Sequence, residues 1–409
     1  MDKKSYGLVT AAYWGFTLTD GALRMLVLLH FHQLGYSPVN LAFLFLLYEF
    51  CGIITNLFGG WIAARYGLRV TLFAGLASQI VALVMLSFVQ QDWVAWLSVA
   101  YVMASQAISG VAKDLTKMSS KSAVKLIVQG SDAAETESRL FKWVAILTGS
   151  KNALKGFGFL LGGVLLQWLG FAPSLWAMAA ALAVVLVLSA AMLKADMGKT
   201  KAKVKFRELF SKSREINILS FARFFLFGAR DVWFVVGLPV FLASQLGWSF
   251  AGVGGFLAAW VIGYGIVQAS APRFINRSAG AARAAQTWGF ALFLVSLLLS
   301  IAIQMNFHPS ASILIGLTVF GFVFAVNSSV HSYLILAYTD SDKVALNVGF
   351  YYMANACGRL AGTLLSGVMF LVGGLPGCLW TSTALVLAAA ALTLYLPVAQ
   401  RSPIPEVAG

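Results

Sequence analysis

Charge is scarce in this sequence and unevenly shared: 11% of the 409 residues are Asp, Glu, Lys or Arg, and 29 bases outnumber 15 acids. A soluble protein is about a quarter charged, and the mean hydropathy here is +0.83. That combination excludes a string of soluble domains, which length alone would permit. Cysteine is also rare. Cys51, Cys357 and Cys378 are scattered over separate apolar segments, which excludes a disulfide frame and leaves no thiol cluster for a metal. His30, His32 and His308 flank the ends of apolar segments and are not read as metal ligands. No phosphate-cradling nucleotide loop, HExxH or GxSxG occurs, so neither an ATP-driven pump nor a membrane hydrolase is supported; no enzyme activity and no cofactor are expected. The start, MDKKSYG, lacks a small-residue cleavage site before the first apolar segment, which is therefore read as a retained helix.

Apolar segments long enough to cross a bilayer, about 20 residues each, recur from end to end. The hydropathy predicts an all-α membrane protein with twelve spans: 6–34, 38–63, 70–90, 93–113, 140–169, 172–194, 216–246, 250–275, 284–305, 310–338, 344–372 and 376–397. Six lie on either side of a basic segment, KADMGKTKAKVKFRELFSKSRE, giving residues 1–194 and 216–409 as two helical bundles and 195–215 as a linker held at anionic lipid headgroups. The odd-numbered connections contain no lysine or arginine, while the even-numbered ones hold Arg65, Arg69, the Lys113–Lys142 loop, the linker, Arg273–Arg283 and Lys343. The positive-inside rule then places both termini in the cytoplasm. The same distribution argues against nucleic acid as the reason for a formal charge of +14.

One basic run is ordered more finely. In KDLTKMSSKSAVK, Lys113, Lys117, Lys121 and Lys125 recur every fourth residue, and in a helix each sits only about 40° around from the last. Traced backward, the ribbon continues the face of Gln106 and Gly110 in span four. Lys113 and Lys117 are thus expected at the inner mouth of a cavity, as an entrance pair that touches substrate. Lys121 and Lys125 are expected among lipid headgroups, with electrostatic steering of an anion as the other reading.

Six plus six helices about a cytoplasmic linker resembles the layout of the major facilitator superfamily, whose pseudo-symmetric halves are parallel repeats. KGFGFLLGGV from Lys155 and RLAGTLLSGV from Arg359 align without a gap, matching Lys155 to Arg359, Gly158 to Gly362 and Gly163 to Gly367. The superfamily's loop signature is met by Gly60, Arg65, Gly67 and Arg69 in GWIAARYGLR, but Ala64 stands at its acidic position. That acid helps lock the halves in one state, so the gating contact is expected to differ here.

A lysine or arginine in mid-span costs about 3 kcal/mol, and five of them roughly 15 kcal/mol, if they face lipid. Arg24 in span one, Lys151 and Lys155 in span five, Arg230 in span seven and Arg359 in span eleven are therefore expected to face water. In the superfamily, spans 1, 4, 7 and 10 line the cavity and spans 2, 5, 8 and 11 complete its wall, which includes all five. Polar residues at helical spacing mark the same faces: Tyr13, Thr17, Asp20 and Arg24; Thr148, Lys151, Lys155 and Gly158; Trp260, Tyr264 and Gln268; Asn327 and His331; Asn347, Tyr351, Asn355 and Arg359. Asp20 and Arg24, spaced i, i+4, are expected to pair within one helix. Asp231 points about 100° away from its neighbour Arg230 and is expected to pair with another helix. Glu49, on the face of Asn56, is a proton-coupling or gating candidate, because burial of an isolated carboxylate favours its protonated form, or else the partner of a cavity cation. His331 is a substrate hydrogen-bond donor or a proton carrier. Arg223, nearer the cytoplasmic end, is explained by snorkelling. Five cations against three acids, Asp20, Glu49 and Asp231, leave a surplus suited to an anionic substrate clamped between Lys155 and Arg359. A structural ion-pair network and a non-transporting receptor or scaffold are the competing readings.

AYWGFTLTDGALRMLVLLHFHQLGYSP, SGVAKDLTKMSSKSAVKL, TGSKNALKGFGF, ELFSKSREIN and LFGARDVWFVVGLPVFLAS resemble the organoarsenical efflux permeases of bacterial arsenic-resistance operons. The resemblance covers nearly the whole chain. It implies an inner-membrane exporter of 1-arseno-3-phosphoglycerate, the ester that a partner glyceraldehyde-3-phosphate dehydrogenase makes from arsenate, and thereby arsenate resistance. It implies a monomer that runs by alternating access, with proton antiport as the default drive. An organophosphate or other organic-anion transporter of the same superfamily is the alternative.

Overall fold

The computed structural model describes residues 3–90, 92–128, 133–193, 213–271, 281–338 and 344–397. Every regular element among them is a helix, as a lipid-facing chain requires, since a helix satisfies its own backbone polar groups. In chain order these are α1 Lys3–Gln33, α2 Pro38–Tyr66, α3 Leu68–Leu86, α4 Ala95–Val128, α5 Ala133–Leu169 and α6 Phe171–Met192, then α7 Arg214–Phe234, α8 Gly237–Ser244, α9 Phe250–Ser270, α10 Ala281–Gln304, α11 Pro309–Ala337 and α12 Val344–Thr393. Among the described residues, nine segments are long and apolar enough to cross a membrane. Neither α1 nor α5 is among them; α1 holds Asp20 and Arg24 in mid-span and α5 holds Lys151 and Lys155.

The expected separate spans differ from the observed helices in three places. Spans eleven and twelve run together as α12, 50 residues interrupted only at Gly374 (φ 61°, ψ −156°), followed by Pro376. Gly374 occupies a left-handed conformation that costs a glycine little. The predicted span seven is broken into α7 and α8. Pro239, near the start of α8, has no amide to donate, and the freed, buried amides of Val236 and Gly237 both donate to Ser366 Oγ of α12 at 3.1 Å. Finally, α4 does not end near 113 but stays helical to Val128, so the whole lysine ribbon is on one helix.

The aligned glycines make equivalent contacts. A Cβ on Gly158 of α5 would lie 3.0 Å from the Cα of Gly21 in α1, and one on Gly362 of α12 would lie 3.0 Å from the Cα of Gly228 in α7. Five residues further along, Gly163 of α5 meets the Phe250 carbonyl at the start of α9. Gly367 of α12 likewise meets the Pro38 carbonyl at the start of α2. Small residues thus let backbones touch where side chains would hold them apart. The first-half helices α5 and α2 are seamed to the second-half helices α9 and α12 at the end of the bundle where α1 passes into α2. An aromatic cluster of Trp233, Trp260, Phe320 and Phe324, with neighbouring ring centroids 5.3–5.7 Å apart, fixes α7 against α9 and α11.

Candidate functional site: a buried ion-pair network across the two halves

Glu49 stands on α2 where the seam meets the middle of the bundle. It is 1% exposed and accepts from Arg359 Nη2 of α12 at 2.5 Å and from Arg24 Nη1 of α1 at 3.3 Å. Arg359 turns its Nε to Asp231 Oδ2 of α7 at 3.2 Å. Its fork therefore holds one carboxylate in each half of the chain, a geometry that a lysine could not reproduce. Asp231 also accepts from Arg230, with Nη2 at 2.5 Å and Nε at 2.6 Å. Asp20 of α1 accepts from the Tyr48 hydroxyl at 2.6 Å and lies 3.8 Å from Lys155 Nζ of α5. Lys113 of α4 places Nζ 4.0 Å from the centroid of the Tyr48 ring, a cation–π contact that holds it against the same group.

One pairing expectation is corrected and another is extended. Asp20 and Arg24 do not pair along α1, because Arg24 reaches Glu49 while Asp20 is taken by Tyr48 and Lys155. Asp231 does pair with another helix, through Arg359, but it also bonds the adjacent Arg230. The long arginine side chain bridges the angle between their Cβ directions. All three mid-span acids are thereby engaged, and burial is distributed unequally between the signs. The acid side chains are 1–7% exposed, whereas those of Lys155, Arg230 and Arg359 keep 21%, 16% and 19%; Arg24, expected to face water, is instead buried against Glu49 with only 9% of its side chain exposed. The carboxylates lie behind the cations, and the cationic edges remain open to water. Lys151, one turn before Lys155, is partly buried.

The ribbon divides as well. Lys117 Nζ donates to Asn56 Oδ1 at 2.6 Å and to Asp114 Oδ1 at 3.1 Å, and the Thr55 hydroxyl also donates to Asp114. Lys117 is therefore bound into an α2–α4 joint. The side chains of Lys121, Lys125, Thr148, Gly60, Ala64 and Arg65 lie outside the described residues, as do 195–212, Arg273 and Lys343. Arg69 donates to the Ala190 carbonyl at 3.2 Å and lies over Phe73.

A second polar cluster lies along α7 and α12. Arg223 is 4% exposed, which corrects the snorkelling account. Its Nε donates to Asn355 Oδ1 at 3.0 Å, and Nη1 donates to the Ser328 carbonyl at 3.0 Å and hydroxyl at 2.9 Å. Tyr351 is buried with its ring 5.1 Å from the Arg223 guanidinium. His331, one turn beyond Ser328 on α11, is fully buried. Asn327 is directed toward α10, its amide nitrogen 3.8 Å from where a Cβ on Gly289 would lie. Tyr13 is buried in α1, its carbonyl accepting from Thr17. Sequence reasoning missed Tyr48 and misread Arg223. The signal for Arg223 was its seven-residue spacing from Arg230; Tyr48 had none, since an aromatic in an apolar run reads as packing.

A helical bundle with membrane-crossing segments and a charged interior spread over both halves is the architecture of a membrane transporter. The sequence matches the Major Facilitator Superfamily over residues 8–229, and the chain belongs to that family of transport proteins as a multi-pass membrane permease. Its fold is similar to a POT family transporter in complex with 5-aminolevulinic acid (14% identity, 96% of this chain and 95% of that chain, TM-score 0.72). It is also similar to a POT family transporter in complex with a thioalcohol-conjugated peptide (13% identity, 96% and 95%, TM-score 0.70). The chain matches no curated protein.

Proposed function

We propose that the protein is a twelve-span secondary transporter, the two limbs of α12 counting as separate crossings, that exports 1-arseno-3-phosphoglycerate across the bacterial inner membrane and so confers arsenate resistance. The observation that carries this reading is the open cationic edge formed by Lys155, Arg230 and Arg359 over carboxylates that are nearly buried. An oxyanion arriving there competes with Glu49 and Asp231 for the Arg359 fork, and charge-assisted, bidentate bonds to an oxyanion are strong enough to take it. Moving Arg359 from Glu49 to substrate breaks a bond between the halves, which couples binding to their rocking. A negative-inside potential favours the export of an anion, and proton antiport adds to it, with Glu49 taking a proton only once Arg359 has left it for the substrate.

In this reading residues 1–194 and 216–409 are the two bundles, both termini are cytoplasmic, the transporter is a monomer, and glyceraldehyde-3-phosphate dehydrogenase supplies the ester. The test is arsenate accumulation in inside-out vesicles given that dehydrogenase and its substrates. Accumulation should require the dehydrogenase and should fail in Lys155→Ala and Arg359→Ala proteins that insert normally. Arsenate protection without the dehydrogenase would count against the ester. The same cationic edge suits an ordinary organophosphate, and glycerol 3-phosphate transported as fast as the ester would move the assignment there.

A further inference from the structure

The Arg223 cluster has no role in the network just described, and its chemistry is unbalanced. Arg223 is buried, yet its partners are an amide, a hydroxyl and a backbone carbonyl, and among the described residues no carboxylate pairs with it. Both ring nitrogens of His331, which is fully buried one turn from Ser328 on the same face of α11, lack a hydrogen-bond partner. A buried guanidinium without a counter-charge and a buried imidazole without a partner are each costly, and one oxyanion would relieve both. Two stripes join this cluster to the ion-pair network. On α12, Tyr351, Asn355 and Arg359 follow at steps of four; on α7, the Phe227 ring lies between Arg223 and Arg230, at 4.0 Å and 4.8 Å from their guanidinium carbons. Those distances laid end to end put the two guanidinium carbons no more than about 9 Å apart.

We infer that Arg223, Ser328, His331 and Asn355 form a second oxyanion subsite that takes one end of an elongated two-headed anion whose other end lies at Arg230, Arg359 and Lys155. A three-carbon chain esterified at both ends spans six bonds, roughly 7–8 Å between the head atoms, which fits that separation. Phe227 packs against the carbon chain between the heads. The inference rests on the anionic substrate class proposed above and adds to it a length requirement and a place for the second charge.

Binding to the purified protein in lipid nanodiscs, measured by calorimetry with propane-1,3-diol bisphosphate and with propyl phosphate, tests it. The bisphosphate should bind about 30-fold more tightly than the monophosphate, the worth of one added charge-assisted contact set. Asn355→Asp sets a carboxylate against Arg223 Nε, so it should raise thermal stability while lowering bisphosphate affinity at least about tenfold more than propyl phosphate affinity. Arg223→Gln should reduce the same ratio. A wild type that does not distinguish the probes, or variants that keep the full ratio, would overturn the subsite and leave the cationic edge of the ion-pair network standing. Binding of neither probe, by contrast, would remove the proposed substrate class and the subsite with it.

Discussion

Replacing Glu49 by glutamine perturbs the link between the halves with almost no change of shape. The amide side chain would keep an oxygen able to accept one bond, but Arg24 and Arg359 would lose the charge they share at 3.3 Å and 2.5 Å. Removing one member of a buried ion pair costs about 3–5 kcal/mol. Here Arg359 retains Asp231 at 3.2 Å and keeps 19% of its side chain exposed, so the lower end, about 3 kcal/mol, is the expectation. Because the pair joins α2 to α12 across the seam, the loss falls on the arrangement in which those helices touch. A shift of that size changes the ratio of closed to open forms by about 100-fold. Ala251, whose Cα lies 3.4 Å from the position of a Cβ on Gly163, marks the seam. In a cysteine-free background, Ala251→Cys should react with a bulky maleimide at least about tenfold faster when Glu49→Gln is added. Glu49→Asp, which keeps the charge on a shorter stem, should fall between. Unchanged labelling in an E49Q protein that still binds substrate would refute the view that this pair holds the seam.

Arg359→Lys preserves charge but cannot reach Glu49 and Asp231 together, so transport should fall about tenfold or more while membrane insertion is kept; vesicle flux and surface abundance separate the two. Gly158→Leu would drive a side chain into Gly21 and Ala22 of α1. It should lower the melting temperature of detergent-solubilised protein through an overpacking cost of about 1–3 kcal/mol or more. Gly7→Ala, inside α1 with nothing within 4 Å of its added carbon, should leave that temperature unlowered or slightly raised. Lys117→Met removes the partner of Asp114 and Asn56 and should weaken the α2–α4 joint, seen as earlier unfolding with little loss of substrate affinity.

Most of the helices, the positions of the mid-span charges and the correspondence of Gly158 with Gly362 were readable in the sequence, because they follow from hydropathy, helical period and an internal repeat. The partners of those charges were not. Asp20 and Arg24 have the spacing of an intrahelical pair, and only the approach of α2 and α5 to α1 hands one to Glu49 and the other to Tyr48 and Lys155. Lys113 and Lys117 looked equivalent along the ribbon, but one rests on an aromatic ring and the other is tied to Asp114. Arg223 was misread because position near a helix end predicts exposure on average, whereas α11 and α12 cover it with Ser328 and Asn355. The break in the seventh span was invisible for a similar reason: its tolerance depends on Ser366, 129 residues away.

That break has a mechanical consequence. The amides of Val236 and Gly237 are tied to Ser366 instead of to the preceding turn, and a Cβ on Gly237 would press on Cys378 beyond the Gly374 kink. The short α8 is thus tied by hydrogen bonds to the limb of α12 before the Gly374 kink and packs on Cys378 of the limb beyond it. The bend between α7 and α8 therefore keeps the amides of Val236 and Gly237 paired within the protein instead of leaving them to lipid.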